Sequence, residues 1–323
     1  MMGRKMRNNF IKSSFKYFLI VLLLILLPAF ARAQSAPAIH FGTLPVVQAL
    51  PLFVAAEKGY FQEQGIFVEL DLFNSAMEKD VALTSGQIAG YFGDIVTPMV
   101  LNANGIPVKM VVTLFNTPPQ QRMFAIMASP KGPEKKLSEL VKAGMAGSSN
   151  TVTDYITLKI LESQNIPISH LNMIEVKNIP IRLQMLLSNQ VAAAVLPEPL
   201  VSLAEMKGAH VVADDAGKGI SATVLAFQES FLKERPRAAR AFLAAVSQAI
   251  TFINKNHVEI RPIMNRHCRI PEELHRKFTI PPFPRLTLPE SGQVMDVYRW
   301  LRTKGMIQKQ MDYTQMVADG YLP

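Results

Sequence analysis

The stretch that most constrains the fold is residues 39–70, which reads in turn as a strand, a loop, a helix and a second strand. Ile39 and Phe41 alternate with polar neighbours, residues 42–45 break the run, and residues 49–61 carry apolar side chains at helical spacing. Residues 66–70 resume an extended pattern after Gly65. This order predicts a βαβ unit, and therefore parallel strands.

In a parallel sheet, the turn after the first strand lies at the carboxyl edge of the strands beside a helix N-terminus, where ligands usually bind. The first candidate binding residues are therefore those of this turn and of the start of the helix. They are Thr43, Leu44, Pro45 and Gln48.

An internal repeat indicates two lobes of similar build. Residues 85–89 (SGQIA) match residues 188–192 (SNQVA) at an offset of 103, and at the same offset Gly105 meets Gly208. The order of elements also agrees, whereas a solenoid would need at least three repeats. The alignment sets residues 92–94 opposite residues 195–197, so we expect these turns to face each other across a cleft.

Polar residues lie at the predicted helix starts on both sides of this cleft. They are Asn74, Ser75, Ser148, Ser149, Asn150 and Thr151. Such residues are good N-caps, but a helix N-terminus also offers free N–H groups and a partial positive charge to a carboxylate, sulfonate or phosphate-like group. The sequence leaves both interpretations open.

The remaining candidates give the cleft a mixed character. Asp94 and Glu198 accept hydrogen bonds from a ligand or cap the helices that follow them. The hydroxyl groups suit an oxyanion. These acids would repel one unless an amine on the ligand or the side chain of Arg122 lay between the acids and the oxyanion. A neutral heterocycle stacked on Phe92, Phe115 or Tyr155 is the other option, although these rings are also ordinary core residues. Asn116 ends the strand of Phe115.

Several segments together resemble a known family. They read G-x-L-P, P-L-F-V-A-A-E-K-G-Y-F-Q-E-Q-G-I, S-G-Q-I-A, A-N-G-I-P-V-K, L-P-E-P and F-L-K-E-R-P. This pattern resembles the periplasmic substrate-binding proteins of nitrate, taurine and sulfonate type ABC importers, a family that also includes binders of thiamine pyrimidine precursors. The resemblance implies a two-lobed α/β fold of the periplasmic-binding-protein type II, in which each lobe is a mostly parallel sheet flanked by helices and two hinge crossings join the lobes.

The predicted organisation follows from the signal-like N-terminus and these crossings. Residues 1–33 have a basic start, an apolar run and an Ala31-Arg32-Ala33 cleavage signal, so we expect a periplasmic protein that begins at Gln34. The first lobe is expected to comprise residues 34–116 and 223–323, and the second lobe residues 117–222.

Charge and motifs exclude other classes of function. Six of the positive charges lie in the first 34 residues, which contain no acid, so the rest of the chain carries +3 of the formal +9 and no nucleic-acid partner is expected. Nucleophile, zinc and phosphate-loop motifs are missing from the sequence, and its single cysteine, Cys268, excludes an internal disulfide. The sequence predicts no catalytic residues, cofactor or metal.

The resemblance implies a monomer that captures a small-molecule solute and delivers it to an ABC permease and ATPase complex in the inner membrane. Two alternatives remain at this stage. One is an enzyme like the thiamine-pyrimidine synthases, which share the fold but use a cysteine-rich motif that this chain lacks. The other is a module that senses a solute for a membrane receptor.

Overall fold

Two five-stranded sheets flanked by helices make up the part of the chain that the structure, a computed structural model, describes: residues 37–131, 136–220 and 222–323. The strands are β1 (Ile39–Thr43), β2 (Val68–Leu72), β3 (Gly90–Asp94), β4 (Val108–Phe115), β5 (Phe124–Ala128), β6 (Met145–Gly147), β7 (Met173–Glu175), β8 (Ala193–Pro197), β9 (His210–Asp214) and β10 (Thr223–Gln228).

The helices lie between and after these strands. They are α1 (Leu50–Glu57), α2 (Tyr60–Glu63), α3 (Ala76–Thr84), α4 (Val96–Ala103), α5 (Leu137–Ala143), α6 (Val152–Ser163), α7 (Ile179–Leu187), α8 (Leu200–Met206), α9 (Glu229–Glu234), α10 (Pro236–Ile253), α11 (His257–His267), α12 (Ser291–Thr303) and α13 (Tyr313–Met316). Short 3₁₀ turns occur at Val47–Ala49, Ile168–His170 and Glu272–Leu274.

The two sheets have the same topology. The first runs β2-β1-β3-β10-β4 and the second β7-β6-β8-β5-β9. In each, four strands run in one direction, and one strand, β10 or β5, pairs antiparallel with both of its neighbours. The expected two-lobed α/β fold is confirmed, with mixed sheets. We call each sheet with its flanking helices a lobe.

The predicted βαβ unit is present. β1 pairs in parallel with β2 from Ile39 opposite Val68 to Thr43 opposite Leu72. The predicted helix over residues 49–61 is divided into α1 and α2, because Gly59 adopts a left-handed conformation with φ of 75°. The apolar side of α1 is buried against the long amphipathic helix α10.

The internal repeat corresponds to matching elements. α3 and α7 have the same bounds at the offset of 103, and so do β3 and β8. Both strands begin two residues later than their apolar patterns suggest, because Ile88 and Val191 are buried in the turns before them. Strand β6 was not predicted at all, since residues 144–147 were interpreted only as a lead into the next turn.

Two connections join the lobes, residues 116–123 and residues 215–222. Asp215, which is fully buried, links them: its Oδ1 accepts hydrogen bonds from the N–H groups of Met123 and Phe124 at 2.8 and 2.9 Å, and its Oδ2 accepts one from Thr117 Oγ1 at 2.7 Å. The start of the second sheet is therefore fixed to both connections.

The lobes also meet on one flank, where α6 of the second lobe contacts α12, a helix that packs on α4 of the first. Tyr155 donates a 2.7 Å hydrogen bond to Asp296, which also pairs with Lys159 at 2.7 Å. Lys304 donates to buried Asp154 at 2.6 Å. Charged contacts of this kind fix the relative orientation of two packed elements.

Candidate functional site

An open-sided cavity of about 570 Å³ lies between the lobes, and we call it the interlobe cavity. Its lining comes from α3, from the turn after β3 and from the turn after β6. The lining residues are Ala76, Met77, Asp80, Val81, Thr84, Ser85, Asp94, Val96, Thr97, Asn150 and Thr151. Three of the sequence-predicted residues, Asp94, Asn150 and Thr151, are thus brought together from both lobes.

The wall from the first lobe contains a group of charged residues. Asp94 Oδ1 accepts a hydrogen bond from the Thr97 N–H at 2.9 Å, so it caps the first turn of α4. Asp80 lies one turn into α3, 3.4 Å from the ammonium of Lys79. Burial raises the pKa of Asp80, and the negative charge of Asp94 adds to this effect although Lys79 opposes it.

Lys79 lies behind this wall. Its side chain is only 1% exposed, and its ammonium lies 3.5 Å from the centre of the Tyr91 ring. A Cβ atom at Gly93 would lie 3.2 Å from the ammonium, so this glycine leaves room for the cation beside β3. Burial lowers the pKa of Lys79, although the charges of Asp80 and Asp94 oppose the shift.

The wall from the second lobe uses its own carboxylates to satisfy its N–H groups. Glu175 Oε2 accepts from the Ser149 N–H at 2.9 Å, and its Oε1 lies 3.5 Å from the Ser148 hydroxyl. Asp154 accepts from the Asn150 N–H at 2.8 Å. Thr151 Oγ1 donates to the Ser148 carbonyl at 2.7 Å. Two of the N–H groups before α6, those of Ser149 and Asn150, are therefore already bonded to acids of the chain itself.

Glu198 is almost fully buried and has partners of its own. Its carboxylate accepts from the Ser202 N–H in the first turn of α8 at 3.0 Å and from Arg122 Nε at 3.1 Å, and Arg122 also pairs with Glu205. Burial raises the pKa of Glu198, although the hydrogen bonds from Ser202 and the charge of Arg122 oppose the shift. The geometry matches the capping alternative.

Some of the buried polar atoms without a partner among the described residues lie at the carboxyl edge of the first sheet. They include Gln48 Oε1 after β1, Asn116 Oδ1 after β4 and Thr223 Oγ1 at the start of β10. Thr223 pairs with Asp94 on one side and with Phe115 on the other. Buried acceptors are rarely left unpaired, so this edge is where water or a ligand is expected to bind.

The other predicted residues have structural contacts. Thr43 is fully buried and its hydroxyl lies 3.4 Å from the Leu44 carbonyl, while Leu44 and Pro45 are half-buried. Ser75 caps α3 through the Glu78 N–H.

The exposed Asn74 accepts a hydrogen bond from Arg269. The rings of Phe92 and Phe115 are buried, and Phe115 packs edge-on against Phe283. Tyr155 packs against Trp300, so its ring lies in the contact between α6 and α12.

Sequence reasoning missed Asp80 and the apolar residues Met77, Val81 and Val96 of the cavity wall. A usable signal was present, because Met77, Asp80, Val81 and Thr84 recur at spacings of three and four residues on one side of α3. Two apolar members of that series, Met77 and Val81, are 66% and 65% exposed. The start of this helix was already a candidate site. An exposed apolar pair on the same helix would have indicated that this face of α3 lines the cavity.

The described residues lack two further kinds of feature. No group of three or more His, Cys, Asp or Glu is placed to hold a metal ion. None of the helices in residues 37–131, 136–220 and 222–323 combines the length and apolar character needed to cross a membrane. The predicted signal segment lies outside these residues.

Several solved structures share the fold. The periplasmic aliphatic sulphonate-binding protein SsuA from Escherichia coli superposes with a TM-score of 0.75 at 14% identity, over 90% of this chain and 94% of its own. The alkanesulfonate-binding protein SsuA from Xanthomonas axonopodis pv. citri, bound to MOPS, gives 0.72 at 15% identity, over 85% and 96% of the two chains.

The periplasmic nitrate-binding protein NrtA from Synechocystis PCC 6803 gives a TM-score of 0.65 at 14% identity, over 85% of this chain and 83% of its own. At this level of identity the likeness concerns the fold. A comparison with curated proteins finds no match. The family model described as NMT1-like matches residues 32–264, which is more than half of the chain, and the protein therefore belongs to the NMT1-like family.

Proposed function

We propose that the protein is the solute-binding component of an ABC importer, which captures a small organic solute between its lobes and delivers it to an inner-membrane permease. The observation that carries this proposal is the interlobe cavity, which is built from strand-end turns and helix starts of both lobes. The unpaired acceptors at the edge of the first sheet supply further places for hydrogen bonds.

Binding would be coupled to closure. The two connections between the lobes form a hinge, and a solute that contacts both walls favours the arrangement in which the lobes lie close together. The contacts of Tyr155, Lys159 and Lys304 with their acidic partners stabilise such an arrangement on one flank. Water exclusion on closure would strengthen each polar contact with the solute.

The proposal involves no covalent chemistry. The thiol of Cys268 is 1% exposed, and burial raises its pKa, so the nucleophilic thiolate is disfavoured. This residue therefore does not supply the reactive group that the enzyme alternative would require.

A thermal-shift screen with a cavity-blocking variant tests the binding step. The panel comprises taurine, alkanesulfonates, nitrate, bicarbonate, amino acids, pyrimidine precursors, aromatic acids and alkylamines. A true ligand stabilises the native state by about 2.7 kcal/mol at a hundredfold excess over its dissociation constant. Ala76→Trp places a ring in the cavity from the exposed start of α3, and we expect it to abolish the shift.

Ala143→Trp is the matched control, because Ala143 is exposed at the end of α5, outside the cavity. It should respond like the wild type. Equal ligand responses in the wild type and in Ala76→Trp would show that the solute binds elsewhere.

The delivery step needs a separate measurement in cells. Uptake of the labelled solute should require both this protein and a co-expressed permease and ATPase, and the exported protein should begin at Gln34. Uptake that is unchanged when the gene is deleted would contradict the transport role, and a periplasmic protein that retains Met1 would contradict cleavage.

A further inference from the structure

The interlobe cavity has two carboxylates on one wall, and two N–H groups beside the other wall are already hydrogen-bonded within the chain. Asp80 and Asp94 line it from the first lobe, and the buried ammonium of Lys79 lies 3.4 Å from Asp80 as a counter-charge. On the second wall, the N–H groups of Ser149 and Asn150 are already bonded to Glu175 and Asp154. An oxyanion would therefore meet the carboxylates of Asp80 and Asp94 on the first wall, where like charges repel.

Tyr91 gives an independent indication of a missing partner at the acidic wall. Its hydroxyl is fully buried and has no hydrogen-bond partner among the described residues. Burial raises the pKa of Tyr91 well above its ordinary value, and the nearby charges of Asp80 and Asp94 raise it further. The Tyr91 ring lies against the Lys79 ammonium, behind the wall that Asp80 and Asp94 form. Buried hydroxyl groups are rarely left without a partner.

The rest of the cavity wall is largely apolar. Met77 and Val81 project from α3 one turn apart, and Val96 lies at the start of α4. Met77 and Val81 are among the most exposed large apolar side chains of the described residues. Burying them against the apolar part of a ligand would remove apolar surface from water, which favours binding.

We propose that the solute carries a protonated amine on an apolar body, with the ammonium bound between Asp80 and Asp94 and the apolar part against Met77, Val81 and Val96. This inference rests on the proposed solute-binding function and defines the chemical class of its ligand. The charges explain the preference: the group formed by Lys79, Asp80 and Asp94 carries a net negative charge that an ammonium neutralises.

Matched pairs of amines and sulfonates on the same apolar body test the proposal. Titration calorimetry on protein purified from the full-length gene would compare butylamine with butane-1-sulfonate, and 2-phenylethylamine with 2-phenylethanesulfonate, at constant ionic strength. We expect the amines to bind, and the sulfonates to bind at least tenfold more weakly or not at all.

Asp80→Asn is the diagnostic variant, and the loss of one charge-assisted hydrogen bond should weaken amine binding by about tenfold to a hundredfold. Asp71→Asn is the control, because Asp71 is similarly exposed, at 27% against 30% for Asp80, but lies on β2 beside His40 and outside the cavity. It should bind as the wild type does. Since Asp80→Asn leaves Lys79 without its carboxylate, the double variant Lys79→Met with Asp80→Asn removes the pair together and should also lose affinity.

The outcomes separate this inference from the proposed function. Sulfonates that bind while amines do not, or amines that bind Asp80→Asn normally, would overturn the amine assignment and leave solute binding intact. Failure of every compound in both panels to bind would remove the proposed function and the inference together. Amine binding that is lost in Asp80→Asn and kept in Asp71→Asn supports both.

Discussion

The two lobes bury a cation at the same place in their repeat, and they treat it differently. Lys79 of α3 and Arg182 of α7 are separated by 103 residues, the offset of the repeat, and each is 1% exposed. Arg182 donates to the Val176 carbonyl at 3.1 and 2.8 Å and to the Val195 carbonyl at 2.8 Å. Its guanidinium thus links the middle of β8 to the chain after β7.

Lys79 has weaker partners. Its ammonium has one carboxylate contact at 3.4 Å and the face of Tyr91, and at the position equivalent to Tyr91 the second lobe has Ala194. Two cations at equivalent positions of the repeat can therefore have different roles. Arg182 binds backbone carbonyls and stabilises its sheet. Lys79 instead offsets part of the negative charge of the cavity wall in front of it.

A second difference concerns the strand ends beside the helix starts. Glu175 ends β7 and accepts from the Ser149 N–H, while the equivalent residue at the end of β2 is Leu72. The second lobe therefore supplies its own anion where the first has an apolar side chain. Glu175 therefore occupies the Ser149 N–H, which an external oxyanion could otherwise have used.

The largest effect is expected for Arg182→Met. The change removes three hydrogen bonds from the buried guanidinium to the carbonyls of Val176 and Val195, so we expect the free energy of unfolding to fall by about 2–4 kcal/mol. Urea denaturation followed by circular dichroism measures the loss. Arg182→Lys should recover only part of it, because one ammonium cannot reproduce the planar fork. A loss below about 1 kcal/mol for Arg182→Met would mean that the guanidinium is no more structural than Lys79.

Glu175→Leu makes the second lobe resemble the first and should have a smaller effect. The carboxylate is exposed, so the loss of its bond to Ser149 should cost about 1 kcal/mol. Burial raises the pKa of Glu175, but the hydrogen bonds from Ser149 and Ser148 and the charge of Lys177 outweigh burial and lower it. The stabilisation is therefore present above the ordinary value of 4.5 and is lost as the pH falls through the lowered pKa.

The measurement for Glu175→Leu is the melting temperature of variant and wild type from pH 7 to pH 3, with and without sulfate. The difference between the two proteins should shrink below pH 4.5. Sulfate should stabilise the variant more than the wild type, because the Ser149 N–H is released. Equal sulfate responses would show that Glu175 does not occupy an anion site.

The architecture was predictable because the spacing of apolar residues that is typical of strands and helices is visible even in short segments. The repeat at an offset of 103 located α3 with α7 and β3 with β8, whose bounds match in the structure. Strand β6 was not predicted because its three residues, Met145–Gly147, show no alternation of apolar and polar side chains. Its position depends on pairing with β7 and β8. A Cβ at Gly147 would approach the Met173 sulfur to 2.4 Å, which only the neighbouring strand reveals.

The candidate site was predictable only in part. Asp94 was predicted because it follows the end of a predicted strand, and Asn150 and Thr151 were predicted because they lie at the start of a predicted helix. All three line the cavity. Sequence reasoning could not tell that the N–H groups beside Asn150 are already bonded, because Glu175 and Asp154 reach them through tertiary contacts at 2.9 and 2.8 Å. Asp80 was missed because a charge inside a helix usually marks a solvated face.

Lys79→Met tests whether the ammonium behind the cavity wall matters for stability. The cation loses hydration on burial and regains only a long ion pair and a cation–π contact worth ~0.5–2 kcal/mol, so its replacement by an apolar chain of similar volume should change the unfolding free energy by no more than ~1 kcal/mol. Amine affinity should rise, because Asp80 and Asp94 lose their counter-charge. The same titrations that test Asp80→Asn would measure it. A loss of stability as large as that of Arg182→Met would make the two cations equivalent after all.

The smallest expected effect is a difference in pH dependence between the wild type and Lys79→Met. Burial lowers the pKa of Lys79 in the folded state, so between that pKa and the ordinary value of 10.5 the unfolded chain binds more protons. Wild-type stability should therefore rise relative to the variant as the pH climbs toward 10.5. Urea unfolding at intervals from pH 7 to 10.5 measures the difference. Lys142→Met, on the exposed side of α5, is the matched control and should follow the wild type. A flat difference between wild type and Lys79→Met would show that the ammonium is as well satisfied in its pocket as it is in water.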